Sequence, residues 1–172
     1  MIQRLIAAAL AAALIALPVQ AQTVVLVRHG EKAGPTGDVD LSAAGQARAQ
    51  ALAQALSGAR VTLVLASAFK RTGQTAQPTA TSAGLPVVTI NFDGGDGAHI
   101  QRVADRARQA GRDDTVLIVG HSNTITEIAR ALGDPAPTLI SDCDYDRMMV
   151  LQLNGKTARA IHTRYGAPTQ SC

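Results

Sequence analysis

The sequence predicts an α/β domain with three layers, in which helices cover both faces of a mostly parallel central sheet. Three observations carry this. Short apolar runs alternate with helix-like stretches along the chain, which is the pattern of linked strand–helix–strand units. The runs are apolar at consecutive positions, as strands buried on both faces are. The length, 172 residues, suits one domain with a sizeable core.

The elements follow in order. TVVLVRH (23–29) reads as the first strand. Ser42 can cap a helix whose apolar face is Ala47, Ala51, Leu52, Ala55 and Leu56, with Gly58 as its stop. VTLVLAS (61–67) is a second strand, and residues 70–83 read as a helix closed by Gly84 and Pro86. PVVTINF (86–92) is a third strand, followed by a helix over 98–110 with Ile100, Val103, Ala104 and Ala107 on one side. TVLIVGH (115–121) is a fourth strand, and a helix from Asn123 to Leu132 follows it. RMMVLQL and ARAIHTRY read as two closing strands joined at Asn154-Gly155, a hairpin signal.

The first 21 residues stand apart. MIQR carries a cation, LIAAALAAALIAL is an apolar run, and Val19 and Ala21 occupy the −3 and −1 positions of a signal-peptidase site. The run falls short of the roughly 20 residues of a spanning helix, so cleavage after Ala21 is expected rather than an uncleaved anchor. The mature domain is then 22–172, exported to a periplasmic or extracellular space, with no stable membrane insertion. Such a compartment is oxidising. Cys143 and Cys172 could pair within the chain, remain as thiols, or link two chains.

Composition excludes several classes. With 47% hydrophobic and 17% charged residues the chain is not disordered. It has no Lys/Arg run and only 2% aromatics, so no nucleic-acid partner is expected from its formal charge of +3. The oligomeric state is not legible.

Parallel strands linked by right-handed crossovers point their C-termini to one sheet edge, where ligands of such folds bind. Strand one ends in Val27-Arg28-His29-Gly30 and strand four in Val119-Gly120-His121-Ser122, so both histidines should reach that edge. Arg71 begins the helix after strand two. Two histidines, two arginines and helix N-termini in one crevice make an anion site, because guanidiniums fork onto phosphate oxygens and helix ends add N–H donors.

These blocks carry a family resemblance. Arg28-His29-Gly30-Glu31, then Asp40-Leu41-Ser42 with Gly45, then Ser67 with Arg71-Thr72 and Gln74-Thr75-Ala76, then Gly120-His121-Ser122 are similar to the motifs of the histidine phosphatase superfamily. The Asp144-Tyr145-Asp146 tract resembles small exported members. The resemblance implies a phosphoglycerate mutase-like fold and a phosphohydrolase acting on small phosphorylated substrates, either phosphomonoesters or phosphoramidates, with no metal and no cofactor. It implies that His29 is the nucleophile that becomes phosphorylated, that Arg28 and Arg71 clamp the phosphoryl oxygens, and that His121 donates to the phosphoryl group. Family members often protonate the leaving oxygen with a carboxylate after the third strand. In this chain Asp93 is the first candidate, then Asp96, then Glu31 or a water. Gly30 and Ser122 are possible secondary residues; Gly30 also suits a turn, and Thr72 and Ser122 could equally cap helices. Ser67 reads as structural.

A binding module of the cell envelope that holds a phosphorylated ligand without turnover is the alternative function, and a purely structural envelope protein the third. A mutase is disfavoured because no insertion would enclose the released product. Envelope sugar phosphates are a substrate class suggested by analogy with exported relatives alone. Asp142, Asp144 and Asp146 resemble the start of a calcium loop, but Arg147 and Leu153 stand where Gly and Glu are required. His99 and His162 read as surface or structural residues.

Overall fold

The computed structural model describes residues 21–169. The expected leader, apart from Ala21, and Cys172 lie outside the described residues. A six-stranded sheet is flanked by four helices in the order β1 (Gln22–Arg28), α1 (Ala43–Ala55), β2 (Val61–Ser67), α2 (Lys70–Ala83), β3 (Val87–Ile90), α3 (Gly95–Arg108), β4 (Thr115–Gly120), α4 (Ser122–Ala131), β5 (Arg147–Asn154) and β6 (Thr157–Arg164). The strand order is β3-β2-β4-β1-β5-β6. β1 to β4 are mutually parallel, and β5 and β6 add antiparallel to β1 and to each other. No described helix is long and apolar enough to cross a membrane.

The two-sided burial expected of the apolar runs has a simple form. Alternate residues of one strand enter opposite cores. Val24 and Leu26, with Leu65, Val116 and Ile118, pack against Val103 and Ala104 of α3 and Ile125 and Ile128 of α4. Val25 and Val27, with Val64, Leu117 and Val119, pack against Leu52 of α1 and Ala76 and Ala80 of α2. Chirality sorts the helices. The chain runs one way across the sheet from β1 to β2 to β3 and then back to β4, so right-handed crossovers put α1 and α2 on one face and α3 on the other.

That reversal opens a crevice at the C-terminal ends of β1 and β4, which pair in register up to Arg28 and Gly120. His29 and His121 are the next residue on each strand. The His29 N–H donates to the Gly120 carbonyl (2.9 Å) and so keeps the two ends together.

Three local expectations are corrected. α1 ends at Ala55 with Leu56 as its C-cap, short of Gly58, because the Ser57 N–H turns to the Gln54 carbonyl (3.2 Å) and breaks the helical pattern. α3 starts at Gly95, three residues early, because Gly94 and Gly95 at φ +81° and +83° make a sharp turn out of β3. Gly30 has no positive φ and is not turn chemistry. A Cβ there would lie 2.8 Å from the Gly45 carbonyl oxygen, and one on Gly45 would lie 2.3 Å from that of Glu31. The two glycines let the first turn of α1 press against the loop that carries His29. The Asn154-Gly155 hairpin forms as expected, with Gly155 at φ +60°.

Candidate active site

The crevice is a cleft of about 430 Å³ lined by Arg28, His29, Arg71 and His121 together with Phe69, Phe92 and a rim of polar residues. The four residues expected to converge do so: the His29 and His121 ring centroids are 5.3 Å apart.

His29 is fixed by its own loop. Its Nδ1 lies 2.7 Å from the Gly30 carbonyl oxygen. A carbonyl can only accept, so Nδ1 carries the proton and Nε2 keeps a lone pair. The loop is pinned in turn, because the Gly30 N–H donates to Thr75 Oγ1 (2.9 Å), which donates to the Arg71 carbonyl (2.7 Å). Thr75 thus couples the histidine loop to the helix that bears Arg71. Gln74 does the same one step out, accepting from the Leu41 N–H (2.7 Å) and donating to Asp40 (2.8 Å).

His121 has the complementary tautomer. An Arg71 terminal nitrogen lies 3.4 Å from Nδ1, and a guanidinium can only donate, so Nδ1 accepts and Nε2 carries the proton. Nε2–H donates to Ser67 Oγ (2.8 Å), Ser67 Oγ donates to Thr72 Oγ1 (2.9 Å), and Thr72 donates to the Phe69 carbonyl (2.7 Å). Ser67 is structural, as expected. The Thr72 hydroxyl is spent inside this chain and neither caps a helix nor lines the cleft.

Both arginines are buried on one side and unfinished on the other. Arg28 donates to the Ser141 carbonyl (2.8 Å), meets Asp142 at 3.4 Å and lies over the Tyr145 ring at 4.3 Å. Arg71 donates to the Gly37 carbonyl (3.3 Å) and lies over the Phe69 ring at 4.4 Å. The Nε–H of each is buried with no hydrogen-bond partner in the described structure. Burial lowers the pKa of both side chains, opposed at Arg28 by Tyr145 and Asp142 and at Arg71 by Asp38. An oxyanion in the cleft that both guanidiniums line would offset the cost of burying their charge.

The same burial acts on the histidines. Desolvation first, then the neighbouring arginines, lower His29 to about 4 against the raising effect of the Gly30 carbonyl. Desolvation first, then His29 and Arg71, lower His121 to about 3. Both are neutral at neutral pH. The unfolded chain therefore takes up protons near pH 6.5 that the native chain refuses. Their effect on stability is absent above pH 6.5, and stability falls as pH drops from there towards 4 and 3. The thermal midpoint between pH 7 and 4 should fall more in the wild type than in a variant with both histidines replaced by glutamine. Equal falls would contradict it.

The carboxylates are not placed as expected. Asp93 is absent from the cleft lining, and its main-chain carbonyl accepts from Arg102 (2.7 Å). The Gly94-Gly95 turn carries the chain on, and Asp96 in the first turn of α3 lines the cleft instead, accepting from Asn123 (2.9 Å). Glu31 also leaves the cleft. It is clamped by Arg48 from α1 at 2.7 to 3.0 Å, and Arg48 reaches on to the Tyr165 carbonyl (3.3 Å). Ser122 lines the cleft and donates to Asp142 (2.8 Å). Asp142, Asp144 and Asp146 face different partners, Ser122 and Arg28, Ser141 and Arg147, Arg164 and Thr169, and do not converge as a calcium loop would. His99 is buried, with its ring stacked on Phe92 at 3.9 Å. His162 bonds Asp134 (3.1 Å) and Thr138.

Lys32, Phe69, Phe92, Asn123 and Asp142 line the cleft without having been singled out from the sequence. For the aromatic residues a signal was present. The chain has only two Phe, two Tyr and no Trp. Both Phe residues line the cleft, and Tyr145 underlies Arg28.

Comparison with known proteins agrees with the fold and, over the first half of the chain, with the family resemblance. Residues 24–91 match the family model described as the histidine phosphatase superfamily (branch 1). No curated protein matches the chain in sequence. The fold is shared with a protein histidine phosphatase SixA complexed with tungstate, at 19% identity and TM-score 0.62 over 83% of this chain and 96% of that one. A proposed phosphohistidine phosphatase SixA from Nakamurella multipartitia aligns at 26% identity and TM-score 0.60 over 86% and 96%. A mycobacterial glucosyl-3-phosphoglycerate phosphatase complexed with VO3 aligns at 19% and 0.59 over 86% and 100%. The family match covers residues 24–91, and over the rest of the chain the likeness to histidine phosphatases is one of fold.

Proposed function

We propose that the chain is a phosphohydrolase that cleaves phosphomonoesters or phosphoramidates through a phosphohistidine at His29. The observation that carries this reading is the tautomer pair. His29 presents a lone pair at Nε2, 5.3 Å between ring centres from an imidazole whose proton lies on the far side, with two buried guanidinium Nε–H groups unpaired beside them.

The steps follow from those positions. Arg28 and Arg71 hold the phosphoryl oxygens. His29 Nε2 gives its lone pair to phosphorus as the bond to the leaving oxygen breaks, and Asp96 protonates that oxygen. The incoming dianion opposes the desolvation and the neighbouring cations that keep His121 neutral, so His121 takes a proton from solvent at Nδ1 and donates it in a hydrogen bond to the phosphoryl group as charge builds. Water then attacks phosphorus, the P–N bond breaks, and the proton of the water passes to the Asp96 carboxylate. The two guanidiniums supply the positive charge that Mg²⁺ supplies in other phosphoryl transfers, so the mechanism needs no metal. Release of inorganic phosphate from an aryl phosphate by the purified chain, inhibited by tungstate, is the expected result. No release would defeat the reading and leave phosphate binding without turnover.

Cleavage after Ala21, export, and a Cys143–Cys172 bond belong to the same proposal, supported by the leader pattern alone. Intact mass of the exported protein should correspond to residues 22–172 less two hydrogens. A mass that retains the leader or both thiol hydrogens would contradict it.

A further inference from the structure

The charges at the mouth of the cleft bear on which leaving groups it accepts. Besides Arg28 and Arg71, three charged side chains line the cleft: Lys32, Asp96 and Asp142. Lys32 Nζ donates to the Pro35 carbonyl (3.1 Å) and is tied to its own loop. The two carboxylates are docked on adjacent residues of one helix turn. Asn123 Nδ2 donates to Asp96 (2.9 Å), and Ser122 Oγ donates to Asp142 (2.8 Å). Neighbouring Cα atoms are about 3.8 Å apart, so two chain segments remote in sequence bring a carboxyl group each to the same mouth, Asp96 as the proton donor and Asp142 as a fixed charge.

Asp142 is the more telling of the two. Its side chain is 85% exposed, yet it faces Arg28, whose side chain is 4% exposed. It does not saturate that guanidinium, because the buried Nε–H of Arg28 is still without a partner. The cleft is thus cationic at its floor and carries an exposed carboxylate, Asp142, at its rim.

Resting on the phosphatase reading, we propose that Asp142 filters leaving groups by charge. The cleft takes phosphoryl compounds whose leaving group is cationic next to the scissile bond, amino-alcohol esters being the simplest. It turns away leaving groups that carry a second anion. Asp142 sets this specificity and does not touch the reacting atoms. An exposed carboxylate a few ångströms from a unit charge is partly screened, so the effect is about three- to tenfold per unit of charge and shrinks as salt rises.

Three two-carbon esters test it: 2-aminoethyl phosphate, 2-hydroxyethyl phosphate and phosphoglycolate, with cationic, neutral and anionic leaving groups. Their intrinsic reactivities differ, so the readout is the change in kcat/KM ratios between wild type and Asp142→Asn, in which those reactivities cancel. The aminoethyl-to-glycolate ratio is expected to fall by about ten- to a hundredfold in Asp142→Asn, with most of the difference gone at 1 M salt. An unchanged ratio, with turnover intact, overturns the charge filter and leaves the phosphatase reading standing. Failure of the wild type to hydrolyse these esters and an aryl phosphate alike overturns both. Asp142→Glu keeps the charge and should retain most of the wild-type ratio; a loss equal to that of Asp142→Asn would also overturn the proposal.

Discussion

His29→Ala is expected to abolish turnover, lowering kcat by about 10⁵-fold or more, the scale on which enzymes lose rate when the nucleophile is removed. The proposed reaction has two chemical steps, and both need the bond between phosphorus and His29 Nε2. No other cleft residue can replace it. His121 Nδ1 faces a cation, Arg71, at 3.4 Å, and its Nε2 is protonated and engaged with Ser67. Oxyanion binding should survive, because Arg28, Arg71 and His121 remain. The inhibition constant of tungstate, read as protection against thermal unfolding in the inactive variant, should move by no more than about tenfold. Hydrolysis that persists in His29→Ala at more than a thousandth of the wild-type rate would contradict the covalent mechanism.

The second large effect concerns the leaving group. Asp96→Asn is expected to slow alkyl phosphates by about 10²- to 10⁴-fold, the range a general acid contributes. An aryl phosphate such as p-nitrophenyl phosphate leaves as a stable anion and should slow less than tenfold. Asp93→Asn should leave both within about twofold, because that side chain does not line the cleft. Steady-state kcat on the two substrate types separates the outcomes. Equal losses on both from Asp96→Asn would remove it from proton transfer and make its role one of shape or charge.

The contrast between these two carboxylates shows where sequence reading stopped. The strands and the residues at their ends were legible because burial on both faces writes continuous apolar runs, and such runs end where the sheet ends. Arg28, His29, Arg71 and His121 could therefore be brought together without coordinates. Asp93 and Asp96 are three residues apart in a loop rich in glycine, and which one reaches the cleft depends on Gly94 and Gly95 at positive φ, a conformation that the residue types allow but do not dictate. Glu31 was ambiguous for another reason. Its partner Arg48 is 17 residues away on α1, and nothing local marks that pairing. Gly30 read as a turn residue because the close crossing of its backbone with that of Gly45 is a tertiary contact. Thr75 and Gln74 were visible only as motif letters, Ser67 only as structural and Thr72 only as a possible cap. Their work lies in hydrogen bonds between segments, from Thr75 to the histidine loop and from Ser67 to His121. The loop that carries Asp142 and Tyr145 to Arg28 was unreadable for the same reason, since Arg28 meets it 113 residues along the chain through the Ser141 carbonyl.

The account turns on which atom receives the phosphoryl group. Mixing the protein with an aryl phosphate, quenching in base and mapping the phosphopeptide by mass spectrometry and phosphorus NMR identifies that atom. The expected product is His29 phosphorylated at Nε2, acid-labile and base-stable, because Nδ1 is held by the Gly30 carbonyl. Phosphate on Nδ1 or on another residue, or rapid hydrolysis with no phosphoenzyme even when single turnovers are sampled on the millisecond scale, would contradict it.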